Sequence, residues 1–237
     1  MLPNISAPSF STKLPSTGRE IKYRPFLVKE EKVLLMALEG GDSKEIMNAV
    51  LKVVSSCVES EINADQITTF DLEYLFLKLR GKSVGEVVDL TLRHEEETDC
   101  TARTKVGLNL DEIEVMGTIS DGKIMITDEV GVKMRYPNLN DMDKIQSAVA
   151  DNEVDSTFDV IAMCVEYIFD KENVYNDFTQ KELQEWLETL SQKQFENISS
   201  FFSNVPKLAH DLHWTCSKCG KSETVHLEGL ESFFTLG

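Results

Sequence analysis

Cys216 and Cys219 stand two residues apart in the run Cys216-Ser217-Lys218-Cys219-Gly220. A two-residue spacer lets a tight turn aim both sulfurs at one point, and Gly220 can take the positive φ that such a turn often needs. A pair of this kind supplies half of a four-ligand structural zinc site, or the dithiol of a redox motif. The redox reading expects a strand running into a helix around the pair. The flanks, Trp214 to Cys216 and Thr224 to Leu227, read instead as the two arms of a small hairpin.

Zinc would need two more ligands, and the chain has no second Cys-x-x-Cys. The remaining candidates are His94, Cys100, His210 and His213. The last two share a face only if their stretch is helical, and wrapping all four residues from His210 to Cys219 around one ion demands a very tight path. A closure that brings the tip of a separate hairpin, carrying His94 and Cys100, to the C-terminal turn is more natural. The expectation is therefore either a site of Cys216, Cys219, His94 and Cys100 holding one structural zinc ion, or an empty structural turn with no cofactor at all.

Little else in the chain suggests chemistry. Its 4 histidines fall in no nucleophile or metalloprotease motif, and no glycine-rich phosphate loop is present. Glu95-Glu96-Glu97 reads as a solvated loop. Asp151, Glu153 and Asp155 alternate as in a calcium loop but lack its glycine and closing glutamate. Cys57 and Cys164 lie in apolar runs and read as core thiols. The expectation is a protein that is not an enzyme and has no small-molecule substrate. Leu230, Phe233, Phe234 and Leu236 crowd the C-terminal residues. Phe233 and Phe234 are adjacent, and in an extended segment they point to opposite sides, so one of them is a candidate anchor for a partner.

The 237 residues carry 24 basic and 41 acidic side chains, a formal net charge of -17. That field repels phosphate and disfavours nucleic acid and anionic membranes as partners. No run approaches the roughly 20 apolar residues of a membrane span, and Met1 to Ile5 lack the features of a signal peptide. A reducing cytosol is expected, in which the 5 cysteines are not a disulfide framework.

The elements that must position these residues follow from hydrophobic period. Phe10 to Leu14 and Glu20 to Tyr23 read as a hairpin turning at Pro15-Ser16-Thr17-Gly18. Three helices follow: Lys29 to Leu38, stopped by Gly40-Gly41; one started by Asp42 with Glu45, burying Ile46, Val50, Val53, Val54 and Cys57; and Phe70 to Arg80, opened by Thr69 and closed by Gly81. The period then switches to two. Val88, Leu90 and Leu92, then Val106, Leu108 and Leu110, mark two strands joined by an acidic tip from His94 to Cys100. Glu112 to Val115, Lys123 to Ile126 and Val130 to Tyr136 read as further strands, ended by Pro137. Asn140 to Ala150, Ser156 to Phe169, Gln180 to Leu190 and Gln192 to Phe202 read as helices, with capping boxes at Thr179/Glu182 and Ser191/Gln194 and a polar joint at Asp151 to Ser156. The fold expected is α+β: an N-terminal hairpin and helices, a central antiparallel sheet, and a C-terminal helical lobe with a small Cys-x-x-Cys turn. The domains expected are 1–137 and 138–237, which could pack as one unit.

Several stretches together resemble one family. They are Pro8-Ser9-Phe10 through Gly18; Tyr23-Arg24-Pro25-Phe26-Leu27-Val28-Lys29-Glu30; Phe70 through Arg80; Lys82-Ser83-Val84-Gly85-Glu86; and the end, Cys216 to Gly220 with Leu227-Glu228-Gly229-Leu230 and Phe233-Phe234. The likeness is to the baseplate proteins of T4-like contractile-tailed bacteriophages, the hub subunit and hub-assembly proteins. The resemblance implies assembly of the central hub by protein–protein binding, with other baseplate hub proteins as partners. It places that work in the host cytoplasm during assembly, and leaves open whether the protein stays in the virion tail baseplate. It carries over no catalytic residue. The alternative from the residues alone is a zinc-ribbon-like regulatory binding protein.

Overall fold

The computed structural model describes residues 6–94, 100–142, 144–145 and 153–230. The chain forms two compact units. The first takes residues up to Ile62, Phe70–Met116 and the chain from Lys207, while the second takes Asn63–Thr69 and Gly117–Pro206.

In the first unit, β1 (Phe10–Lys13) pairs antiparallel with β2 (Glu20–Tyr23). Its turn is fixed from outside: Asp71, buried on α3 (Thr69–Ser83), accepts from Ser16 N at 3.0 Å and also from Ser16 Oγ. The helix α1 (Val28–Gly40) stops at Gly41, whose φ of 71° places it in the left-handed region that Cβ-bearing residues avoid. Asp42 then caps α2 (Ser43–Cys57) by accepting from Glu45 N. After α2 the chain returns beside β2, with Arg24 N donating to Cys57 O and Glu59 N to Lys22 O. Val50, Val53, Val54 and Cys57 are buried as the helical spacing requires.

Gly81 does not close α3. The helix continues to Ser83, and Gly81 is buried on it at a point where an added Cβ would meet Leu110 Cβ. The contact is an ordinary van der Waals one, so the helix simply runs through the glycine. The strands β3 (Val87–Leu92) and β4 (Thr104–Asn109) pair in full register, Leu90 opposite Val106. A short 3-10 turn, Leu110–Glu112, leads to β5 (Glu114–Met116).

The expected central sheet is instead distributed among separate ladders. β5 pairs with β10 (Lys207–Thr215), which also pairs with β11 (Ser222–Glu228) in the order β11-β10-β5. The arms around the Cys-x-x-Cys turn are thus much longer than Trp214 to Cys216 and Thr224 to Leu227. They belong to the first unit and not to a helical lobe. Leu77, Leu90, Leu108, Leu110 and Ile113 share one apolar core with Leu208, Leu212 and Leu227.

In the second unit, β6 (Lys123–Met125), β7 (Gly131–Met134), β8 (Val165–Phe169) and β9 (Val174–Tyr175) form an antiparallel sheet in chain order. The stretch Ser156 to Phe169 is not one helix. Helix α4 (Glu153–Cys164) ends at Cys164 and the chain passes directly into β8. A Cβ on Gly131 would clash with the tip of the Phe169 ring, its partner on β8, so a larger residue there would force that ring to move. The joint expected at Asp151 to Ser156 is helical from Glu153. Of the helix expected at Asn140 to Ala150, residues 140–142 and 144–145 are helical and the rest lies outside the described residues. Both helices α5 (Gln180–Glu188) and α6 (Gln192–Ser203) start at their capping residues: Thr179 N donates to Glu182 Oε2 and Ser191 N to Gln194 Oε1, each at 2.8 Å. Leu183, Leu187, Ile198 and Phe201 join Val132, Met134 and Ile161 in this unit's core, with Trp186 packed against it.

Candidate metal centre

The site is assembled by two hairpin ends. β3 delivers His94 just beyond Leu92, and Cys100 returns ahead of β4. From the other side, β10 and β11 are joined by the turn that holds Cys216 and Cys219. That turn closes locally: Gly220 N donates to Cys216 O at 3.0 Å, Cys216 N donates to Lys221 O at 2.9 Å, and Gly220 sits at φ 72°. A latch joins the two ends. Thr104 Oγ1 accepts from Ser217 N at 3.0 Å and lies 3.2 Å from Ser217 Oγ.

One ligand atom each from His94, Cys100, Cys216 and Cys219 lies within 4.8 Å of all the others. Cys100 Sγ is 3.8 Å from Cys216 Sγ, and His94 Nε2 is 3.3 Å from Cys219 Sγ. These four side chains could hold a metal ion. His94 and Cys216 are buried, Cys100 is half-buried and Cys219 is exposed. His210 and His213 do not join them. They lie on strand β10, where residues three apart face opposite ways, and His213 Nδ1 pairs with Thr224 Oγ1 at 2.7 Å.

Two neighbours escaped sequence reasoning. Glu223 Oε1 lies 2.7 Å from His94 Nδ1 and 2.9 Å from Lys221 Nζ. Trp214 packs its ring 5.4 Å from the His94 ring. Both could have been found by counting: in a hairpin closed across 216–221, position 223 faces 214, and these two do pair.

The electrostatics follow from these contacts. The Cys216 thiol is pulled down to about 6, chiefly by the backbone N–H groups of Cys219 and Lys218, with His94 contributing against the cost of burial. His94 is raised to about 9, first by Glu223 and then by Cys216. In contrast, burial pushes the Cys164 thiol up to about 12 and raises Cys57, so those two behave as core groups. Taken pairwise, Cys219, His94 and Glu223 have the order of a thiol–imidazole–carboxylate triad. Here, though, two further thiols converge on the same imidazole, where a nucleophile would instead face a substrate cleft.

Phe233, Phe234 and Leu236 lie outside the described residues. Leu227 and Leu230 are buried. Among the described residues, no helix is long and apolar enough to cross a membrane.

The fold is mixed α+β, and its most concentrated group of candidate ligand atoms is this cluster of three thiols and an imidazole. The chain belongs to the T4 bacteriophage base plate protein family, whose model matches residues 7–235. No curated protein and no solved structure matches it.

Proposed function

We propose that this phage baseplate protein acts without catalysis, by binding other hub proteins while the central hub of the baseplate is assembled in the host cytoplasm. Family membership over nearly the whole chain supports the setting. The observation that carries the binding role is the outer side of α1. Val28, Leu35 and Met36 are 79%, 59% and 64% exposed, and they fall within one face at helical spacing. Lys32 and Glu39 share that side, and exposed apolar side chains of this size on a surface helix are characteristic of an interaction site. Val84 and Val87 add exposed apolar area in the same unit. Phe233 and Phe234 are proposed as further anchors, and the net charge of -17 favours a partner with a basic surface.

The test is co-expression with individual baseplate hub proteins of the same phage, followed by affinity capture of the tagged chain. A stoichiometric complex is expected. Val28→Asp and Met36→Asp should weaken capture at least tenfold, about 1.4 kcal/mol. Their unfolding free energy should stay within about 0.5 kcal/mol, as is usual for surface substitutions. Phe233→Ala and Phe234→Ala extend the test to the tail. Failure of every hub protein to bind, or loss of binding only in proportion to lost stability, would overturn the proposal.

A further inference from the structure

The geometry points to a single zinc ion bound tetrahedrally by His94 Nε2, Cys100 Sγ, Cys216 Sγ and Cys219 Sγ, with Glu223 positioning the histidine. Zinc–sulfur bonds of about 2.3 Å at tetrahedral angles put neighbouring sulfurs about 3.8 Å apart. The Cys100–Cys216 separation is 3.8 Å. With a zinc–nitrogen bond of about 2.05 Å, the matching nitrogen–sulfur separation is about 3.6 Å. His94 Nε2 lies 3.3 Å from Cys219 Sγ. A disulfide would bring two sulfurs to about 2.05 Å, which 3.8 Å does not approach.

The ligand set is three thiols and one imidazole, the soft, closed arrangement that suits a structural zinc site with no open position for substrate. The surroundings already have the form that such a site needs. His94 Nδ1 lies 2.7 Å from Glu223 Oε1, so with Nδ1–H donating to that carboxylate a metal-bound, neutral ring would present its Nε2 lone pair to the ion. A carboxylate behind a ligating histidine is a recurrent supporting group. Lys221 shares the same carboxylate and supplies positive charge beside a centre that would carry three thiolates. The role follows from the connectivity. Outside the four ligand side chains, the bonds between the two hairpin ends include those of Thr104 with Ser217 and of His94 with Glu223, and one ion would join all four strands β3, β4, β10 and β11. This inference does not depend on the hub-binding proposal, because it concerns how the first unit is held together.

The test uses the full chain purified in reductant. Elemental analysis should find about one zinc per chain. After removal of zinc, added cobalt(II) should give the visible ligand-field bands of a tetrahedral site and a thiolate charge-transfer band, and zinc should bleach both. Cys100→Ser should weaken the charge-transfer band, whereas Cys57→Ala and Cys164→Ala should leave stoichiometry and spectrum unchanged. Glu223→Gln should keep one ion and the tetrahedral spectrum while raising the zinc dissociation constant 10- to 100-fold, as loss of such supporting groups does. An effect of Glu223→Gln on stability alone, with affinity unchanged, would remove its positioning role. The zinc site itself is overturned if folded wild-type protein contains no zinc and takes up none. It is equally overturned if the metal found is iron, or if mass spectrometry finds a disulfide among Cys100, Cys216 and Cys219 in the reduced preparation. Because wild-type protein decides these outcomes, a cysteine variant that fails to fold does not blur them.

Discussion

Each of the two units contains a polar cluster, buried in the second and partly buried in the first, that joins distant stretches of chain, and the two clusters are built from different groups. In the second unit Asp141 is 6% exposed and takes two bonds from the Arg135 guanidinium and one from Asn138 N. Arg135 also donates to Met163 O at 2.7 Å, tying the end of α4 to the stretch after β7. Here every strong donor finds an acceptor within the chain. In the first unit, three sulfurs and a ring nitrogen crowd within 4.8 Å of one another. Guanidinium and carboxylate neutralise one another, whereas thiols and an imidazole nitrogen aimed at one point call for a cation from outside. Burial of polar groups alone does not identify a metal site. What separates the two clusters is the chemical type of the groups: a charge-balanced pair in one, soft metal-ligating atoms in the other.

The sharpest way to break this comparison is to strip the metal. Protein held at a thousandfold excess of zinc over its dissociation constant should be about 4 kcal/mol more stable than chelated protein. Denaturant titration with and without chelator measures it, and equal midpoints would make the two clusters alike. The next effect belongs to the second cluster. Arg135→Met leaves the Asp141 carboxylate buried without its partner and should cost about 3 kcal/mol, with no dependence on chelator. That cluster also has a pH signature. Burial alone would raise the Asp141 carboxyl, but the bonds from Arg135 and Asn138 outweigh it and hold it below its ordinary 3.8. A depressed carboxyl contributes its stability in full above the ordinary value and loses it as pH falls through the folded value. Wild-type protein should therefore lose this contribution only below about pH 4, and Arg135→Met should show no such loss in that window. The smallest effect tests the turn. Gly220→Ala has open space for its Cβ but must hold φ near 72°. It should cost about 1–2 kcal/mol, read by thermal unfolding of the zinc-loaded protein.

Sequence period carried much of this architecture. The N-terminal hairpin, the helix stop at Gly41, both capping boxes and the β3–β4 alternation follow from local rules, and the structure holds each of them. The proximity of His94 and Cys100 to the Cys-x-x-Cys turn was legible because both pairs of zinc-type ligands fall at the ends of predicted hairpins. Three features were not legible, for distinct physical reasons. The passage from α4 to β8 runs through Ile161, Ala162, Cys164 and Val165, all buried, so no polar residue marks the change of period. Strand β10 alternates, but His210 takes one inward position of the Leu208, Leu212, Trp214 row and disguises it. The exposed apolar side of α1 reads from sequence as an ordinary helix, because only tertiary packing decides which of its apolar residues are covered.

The first unit draws on chain from both sides of the insertion at 117–206. On a ribosome the chain grows at roughly 5–20 residues per second, so on the order of ten seconds separate the emergence of β5 from that of its neighbour β10. Throughout that interval Leu77, Leu90, Leu108 and Ile113 wait for Leu208, Leu212 and Leu227 to complete their core. The inserted unit can finish folding first, while the early segments remain open to chaperones, to proteases, or to premature pairing with another nascent copy. A chain released before Lys207 would keep its second unit and never close its first.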